Sequence, residues 1–428
     1  MSKYPIFKEE FLKIKDKYLL HLGKLESLFI IKNGDIPILD INHDLAYFFS
    51  LCNGQNSIDD LANLLNIEYG SVTKDDVKGL INQYDDYLEL IDKEVNVSNI
   101  TGSFDIQSPS TISLFLTDKC NFKCQHCYSE SGTHNHTFIN TEIIDIVSEL
   151  SELGMRNVEI NGGEPFLHPS FNKIMGTVCR VSDHVKILTN GSVISDEHIE
   201  LLSKFRDKIE FQVSLHGTSN FVNSFVNVDN GFNYIISGIK KLVDNDFTVD
   251  ISMCVSKDNV NEIVDTAKVA HSLGCKSFNL SSTMELGRAT SNYLDFKTDE
   301  IQKSLNIINT LFPCFLGEDK IYMINGEEIN HCGAFVNKMA IFANGNISIC
   351  GLDIGLFNHP NVFIDGLDKC LDYMLNFGLD KIEFPSEDLC GNCEHFYFCN
   401  SCYIRGLIKY KDIGKCNWGS TWISCKNV

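Results

Sequence analysis

From residue 111 to about 312, runs of strand-forming apolar residues alternate with stretches of helical period, and the alternation repeats six times. The runs are TISLFLT, NVEI, VKILT, IEFQVSL, TVDISMCV and FNLSS, and helices are predicted near 141–153, 170–181, 196–205, 232–244, 259–273 and 298–312. Six such units in a row imply an α/β fold with a parallel sheet, curved or closed as a partial barrel, because successive parallel strands need a crossover. In sheets of this kind the loops at the strand C-terminal ends carry the chemistry.

The pattern differs on either side. Residues 1–98 read as a separate small module of short apolar runs (SLFIIKNG, IPILDI), helical LAYFFSLC, and two further helices, SIDDLANLLNIEYG and TKDDVKGLINQYDDYLELI. Ser57 ahead of Asp59 and Asp60, and Thr73 ahead of Asp75 and Asp76, place capping oxygens and negative charge at helix starts. Strands followed by helices in so short a span predict a winged-helix-like fold. Polar VNVSNITGSFDIQSPS reads as a linker. Beyond about 313 the periodicity gives way to short segments broken by Gly, Asn and Cys, too irregular for a large apolar core of their own.

Composition narrows the classes. A chain of 428 residues calls for two or three domains. A net charge of −21 opposes phosphate neutralisation, so nucleic acid is not an expected partner. The N-terminal stretch has no signal-like apolar core and no run of 18 apolar residues occurs, which excludes a membrane span and predicts a cytoplasmic location. Seventeen cysteines without a secretion signal fit thiolate metal ligands better than a disulfide framework. Three of them lie between 120 and 127, and ten between 314 and 425.

Cys120, Cys124 and Cys127, spaced CxxxCxxC in CNFKCQHCY, directly follow the first strand of the alternating region. Three thiolates can hold three irons of a four-iron cubane and leave the fourth iron open to a substrate, unlike a cluster capped by four cysteines. A zinc knuckle or three unrelated thiols is the alternative. The second strand ends in NGGEP, where Gly162 and Gly163 allow close backbone approach and Glu164 can accept from an ammonium. Thr189 and Asn190 end the third strand, and Ser214 and His216 end the fourth, all placed for polar contacts or for ordinary turn roles. Arg288, in MELGRA, follows the sixth strand.

On these residues the chain resembles the radical S-adenosylmethionine superfamily, whose signature is a CxxxCxxC loop after the first strand of a partial (β/α)6 barrel. The resemblance implies a 4Fe-4S cluster on Cys120, Cys124 and Cys127. Its open iron chelates S-adenosyl-L-methionine, whose reductive cleavage gives a 5′-deoxyadenosyl radical. It further implies that Glu164 with its glycines contacts the methionine amino group, that Arg288 pairs the carboxylate, and that either His126 or Tyr128 faces the adenine.

In the C-terminal region Cys332 and Cys350 are spaced Cx12Gx4C, and Cys390, Cys393, Cys399 and Cys402 fall in CGNCEHFYFCNSC. Zinc ribbons are the plain reading of such density. Beside the barrel motif, the pattern resembles the SPASM domain, which implies two auxiliary four-iron clusters. Cys332, Cys350 and Cys402 would serve the first, and Cys390, Cys393 and Cys399 with Cys416 the second. Cys314, Cys370 and Cys425 are further candidates for a missing ligand. Cys52, Cys179, Cys254 and Cys275 read as buried small hydrophobes.

The N-terminal module resembles the RiPP recognition element, which binds leader peptides, and backbone pairing to an edge strand would supply affinity. Together the resemblances imply domains at 1–98, 108–312 and 313–428 and an oxidoreductase that modifies a ribosomally made precursor peptide. A thioether crosslink is the first expectation; a carbon–carbon or carbon–oxygen crosslink, a sulfatase-type maturase and a zinc scaffold are alternatives. Leader plus core peptide and an external donor such as flavodoxin or ferredoxin are the implied partners.

Overall fold

A computed structural model describes residues 11–15, 18–22, 27–31, 37–95, 100–105, 108–133, 137–283, 286–289, 298–316, 323–324, 327–328, 334–335, 337–353, 355–379, 385–393, 396–399, 402–414 and 416–420. Its centre is a sheet of six parallel strands in sequential order: Thr111–Phe115, Asn157–Asn161, His184–Thr189, Ile209–Ser214, Thr248–Val255 and Ser277–Ser282. All six predicted strands are present, and every predicted helix between 141 and 312 has a counterpart within a few residues.

Alternation along these strands sorts their side chains by face. Ile112, Leu114, Val158, Ile160, Val185, Ile187, Phe211, Val213, Val249, Ile251 and Met253 are all fully or almost fully buried under the helices. Helix Ile143–Glu152, for example, turns Ile143, Val147 and Leu150 into that layer. The other face carries Ser113, Glu159, Lys186, Gln212, Ser214, Ser252 and Asn279, all half-buried. Register pairs several of these across neighbouring strands, Ser113 with Glu159, Lys186 with Glu210, and Ser214 with Ser252. The concave side is therefore a polar wall.

Several elements depart from the sequence reading, among them Leu88–Ile91, read as the end of a helix but found as a strand paired antiparallel with Phe11–Ile14. Helix Ser219–Phe225 sits between the fourth strand and helix Gly231–Asp244, where no helix was predicted. The region beyond 313 is also more regular than its composition suggests. Strand Lys338–Ile341 extends the sheet by pairing in parallel with Thr111–Phe115, and Ile347–Ser348 folds back on it. Helix Leu367–Phe377 buries Leu367, Cys370, Leu371, Met374 and Phe377, a helical stripe in the same core as the barrel. The C-terminal region thus shares the barrel's core instead of needing one of its own.

The N-terminal residues have a separate core around Leu12, Ile14, Phe48, Phe49 and Leu61. Capping boxes form at both predicted helix starts, Ser57 with Asp60 and Thr73 with Asp76. The stretch read as a linker is partly structured, because strand Ile100–Gly102 pairs in parallel with Tyr18–Leu22. There the module meets the barrel. Buried His21 donates from Nε2 to the Ser108 carbonyl at 2.9 Å, which leaves Nδ1 to accept from Thr101 Oγ1 at 3.2 Å. Ser108 Oγ in turn donates to the Leu153 carbonyl at 2.7 Å.

Gly154, at φ +113°, brings its backbone against Gly102; a Cβ there would lie 2.6 Å from the Gly102 nitrogen. Substitution Gly154→Ala combines a left-handed backbone with a backbone clash and is expected to cost about 1–3 kcal/mol. A lowered thermal midpoint in calorimetry is the expected outcome, and an unchanged midpoint would show that this joint does not form.

Candidate functional site

The cysteine loop leaves the first strand at the C-terminal mouth of the sheet and is held from three sides. From the second strand, Gly163 N–H donates to the Thr117 carbonyl at 2.7 Å and Glu164 N–H to the Lys119 carbonyl at 2.8 Å. From the new helix, the Phe225 and Val226 carbonyls accept from Gln125 and Lys123 at 2.9 and 3.0 Å. From beyond the sixth strand, Arg288 donates from Nε to the Cys124 carbonyl at 2.8 Å and from Nη1 to the Ser131 carbonyl at 3.1 Å.

The same residues also have structural parts to play. Gly162 and Gly163 admit the loop backbone: Cβ atoms there would lie 2.5 Å from the Thr117 oxygen and 2.3 Å from the Lys119 oxygen. Arg288 braces the cysteine loop through its carbonyls. Gly287, at φ +59°, lets the same segment pass the loop, since a Cβ would meet the Tyr128 oxygen at 2.3 Å. Glu164 is fully buried, and its carboxylate accepts from Thr189 Oγ1 at 2.8 Å, Asn190 N at 2.8 Å and Phe166 N at 3.3 Å. It ties the second strand to the third.

Cys120, Cys124 and Cys127 are half-buried and unbridged. Cys120 Sγ accepts from Phe122 N at 3.4 Å and from Asn190 Nδ2 at 3.9 Å. Asn190 also donates to Asn121 Oδ1 at 3.0 Å, and Asn121 donates to Ser192 Oγ at 2.8 Å, a small network beside the thiol. Burial first, then the Glu164 charge, pushes the Cys120 thiol up to about 12. Burial raises Cys124 as well, with Arg288 opposing. The three sulfurs do not all lie within 4.8 Å of one another. Two thiolates on one zinc at about 2.3 Å each can be no more than about 4.6 Å apart. As placed, the three sulfurs are therefore not gathered around a single zinc ion.

The residues flanking Cys127 face opposite ways. His126 lies in the mouth, stacked on Phe225 (centroids 4.8 Å, 5° between planes) and edge-on to His216 at 4.3 Å. Its Nδ1 is buried without a hydrogen-bond partner, and burial lowers its pKa to about 4. Buried His216 accepts from Cys254 N at Nδ1, 3.1 Å, and is likewise held neutral by burial and by His126. Ser214 sits half-buried on the polar wall. Tyr128 instead packs against Cys399 beside Leu286, Leu352 and Ile408.

Cys254 is not the buried hydrophobe expected from its strand. It is half-buried on the polar face, 3.3 Å from Ser281 Oγ, and a donor atom from each of His126, His216 and Cys254 lies within 4.8 Å of the others. Its place on the strand was readable from alternation; its proximity to His126 was not. Cys52, Cys179 and Cys275 are buried, and burial raises all three thiols.

Among the C-terminal cysteines, the charges of Cys416, Cys393 and Cys390 act on Cys399, and those of Cys416 and Cys393 on Cys390, after burial in each case. These four form one neighbourhood. Trp418 N–H donates to the Cys390 sulfur and Gly419 N–H to Cys416 Sγ at 3.3 Å, bonds that favour thiolates. No three of the four sulfurs lie mutually within 4.8 Å, again too open for one zinc. Cys402 caps helix Tyr403–Ile413, and Cys350 ends the hairpin beside Tyr128. Cys370 lies in the apolar core and Cys314 is exposed. Cys332 and Cys425 lie outside the described residues.

The sequence pattern of the Radical SAM superfamily matches residues 114–270. The chain is 28% identical over 326 residues to the antilisterial bacteriocin subtilosin biosynthesis protein AlbA of Bacillus subtilis, covering 74% of this chain and 73% of that one. It is also 28% identical over 215 residues to the sporulation killing factor maturation protein SkfB of the same organism, covering about half of each. The structure of Streptococcus suis SuiB bound to precursor peptide SuiA superposes with a TM-score of 0.66 at 18% identity, over 93% of this chain and 97% of that one. The fold is accordingly a mixed α/β fold with a parallel sheet, similar to SuiB. Among the described residues no helix is long and apolar enough to cross a membrane.

Burial raises the Glu164 carboxyl to about 7, against three donors that lower it. The folded protein then holds a proton that the unfolded chain releases near 4.5, so this group's stabilisation is present at low pH and is lost as pH rises through about 7. Glu164→Gln presents a donor to Asn190 N–H and is expected to cost about 1–3 kcal/mol. It also removes this part of the slope. Denaturant titrations of both proteins between pH 5 and 8 check it; parallel pH profiles would show that Glu164 does not titrate in this range.

Proposed function

Because the chain is a radical SAM superfamily enzyme, homologous to peptide-modifying maturases, we propose that it forms a crosslink in a ribosomally made precursor peptide, with a thioether as the leading product. The observation that carries the reading is the CxxxCxxC loop of Cys120, Cys124 and Cys127 at the barrel mouth. A 4Fe-4S cluster with S-adenosyl-L-methionine, when bound, supplies a 5′-deoxyadenosyl radical able to take a hydrogen atom from the peptide.

The chain's own residues would prepare that event. Cys120, Cys124 and Cys127 hold the cluster, and the Arg288 and Gly162–Gly163 contacts keep the loop rigid. Since Glu164 is spent internally, an ammonium would be met by the Gly162 and Gly163 carbonyls, which accept no hydrogen bond among the described residues. Asn190 and Ser214 offer polar contacts, and His126 with Phe225 forms the aromatic side of the mouth that suits an adenine. The polar concave wall leaves room for a peptide.

The C-terminal region, 313–428, is read as a SPASM domain with two auxiliary clusters. Cys390, Cys393, Cys399 and Cys416 would hold one. Cys350, with Cys332 and Cys402, would hold the other, and three protein ligands there would leave an iron for a substrate thiolate, which favours the thioether. The electron would come from a flavodoxin or ferredoxin.

Residues 1–98 are read as a recognition element of winged-helix type. A cavity of about 650 Å³ opens between its helices, with Leu45, Phe48, Leu65 and Leu80 below and Asp44 and Asp75 at the rim. An apolar floor under an acidic rim suits a leader segment with aliphatic and basic side chains. The names of AlbA and SkfB place those relatives in bacteriocin biosynthesis and killing-factor maturation, and SuiB was solved with its precursor peptide.

Replacing Cys120, Cys124 and Cys127 together by alanine is expected to abolish S-adenosylmethionine cleavage and to leave precursor binding intact; retained cleavage would reject the reading. Anaerobic iron analysis of the native chain should give about twelve irons for three cubanes, whereas zinc alone would refute the enzyme. Gly79 lines the N-terminal cavity, and a Cβ added there meets nothing within 4 Å. Gly79→Arg should therefore preserve the fold while lowering precursor affinity about tenfold, or about 1.4 kcal/mol. Unchanged affinity in calorimetry would remove the leader-binding role.

A further inference from the structure

Tyr128 is adjacent in sequence to Cys127, yet its side chain belongs to the C-terminal region. It packs against Cys399 together with Leu286, Leu352 and Ile408. Its hydroxyl reaches the turn at Gly351, next to Cys350: a Cβ on Gly351 would stand 3.2 Å from that oxygen and 2.6 Å from the Phe115 ring. Only glycine lets the hairpin end come so close. The segment carrying Gly287 closes over the backbone of Cys127 and Tyr128, so the ring is fixed at both ends.

One aromatic side chain therefore touches three cysteine environments: the barrel loop through Cys127, the hairpin end at Cys350, and the thiol neighbourhood at Cys399. The phenol is held protonated, first by burial and then by the charges of Cys127, Cys350 and Cys254. Its hydroxyl makes no hydrogen bond among the described residues, so the side chain meets the C-terminal region by packing alone, against Cys399 and beside Gly351.

Resting on the proposed cluster sites, we propose that the Tyr128 ring is the electronic contact between the barrel cysteine loop and the C-terminal cysteine sets. One electron leaves an iron–sulfur cluster held by the C-terminal cysteines and one arrives at the cluster held by Cys120, Cys124 and Cys127, or the reverse. The donor cluster is oxidised by one electron and the acceptor reduced by one. The ring stays closed-shell and no proton moves. Tyr128 is thus a positioning and coupling residue, separate from the adenine-facing role that His126 fills.

The test uses the full chain, anaerobically loaded with iron and sulfide, with S-adenosylmethionine bound. A flash-photoreduced deazaflavin delivers less than one electron per chain, and freeze-quench electron paramagnetic resonance follows its redistribution among the cluster signals. Wild type and Tyr128→Phe are expected to redistribute at the same rate, and Tyr128→Leu severalfold more slowly with iron and sulfide content unchanged. Redistribution at the wild-type rate in a fully loaded Tyr128→Leu overturns the proposal. Should Tyr128→Leu lose iron, Tyr128→Met, whose flexible apolar chain fills the same space, is judged by the same two outcomes. A wild type that loads only about four irons removes the auxiliary-cluster reading itself, a result distinct from full loading with an unaltered rate.

Discussion

The close approach of the Gly162–Gly163 turn to the backbone of Thr117 and Lys119 is the constraint on which the site depends. Two N–H donors from the end of the second strand reach carbonyls at the start of the cysteine loop, at 2.7 and 2.8 Å. That contact exists because neither glycine carries a Cβ. Once the turn is seated, the buried Glu164 carboxylate is aimed at Thr189 and Asn190, and Asn190 is brought to the Cys120 sulfur. The first three strand ends are thereby locked around one thiol. Arg288 completes the enclosure from the far edge of the sheet, 164 positions from the carbonyl it holds at Cys124.

The same strands that bury Ile112, Val158, Ile187 and Val213 outward present serines, amides and charges inward. A barrel whose interior is polar cannot be packed dry without leaving its groups unsatisfied. The mouth where the cysteines sit is continuous with this polar wall. The additional strand Lys338–Ile341 on the open side of Thr111–Phe115 has a second consequence. It places Cys350 a few residues beyond a sheet edge next to the cysteine loop, so proximity of the two regions follows from sheet pairing and not from loop placement.

The six βα units and the helix caps were legible in the sequence because they rest on local periodicity and on oxygens one turn from the amides they satisfy. The CxxxCxxC loop was legible because its spacing is itself the signal. Long-range choices were not. Helix Ser219–Phe225 is short and rich in Asn and Ser, so Phe221, Val222 and the Phe225 that stacks on His126 are too few to set a period. The residues of helix Leu367–Phe377 do carry a helical stripe, but the surrounding Gly, Asn and Cys masked it. Glu164 and Arg288 were legible as motif charges, but their protein partners were not, because Thr189 and Asn190 for one and the Cys124 and Ser131 carbonyls for the other lie far off in the chain.

The two residues beside Cys127 show why one cysteine loop can serve two regions. Backbone bonds from Cys127 N to the Cys124 carbonyl and from Glu130 N to the Cys127 carbonyl curl the chain tightly at this point. In such a curl successive side chains diverge, so His126 and Tyr128 must point to different neighbours. His126 enters the mouth beside His216, both kept neutral by burial, with the Arg288 charge also acting on His126. Tyr128 leaves toward thiols contributed from more than 200 residues away, at Cys350 and Cys399. The mouth can then be shaped for a cosubstrate while the rear contact is shaped for the C-terminal cysteines, with Cys127 common to both.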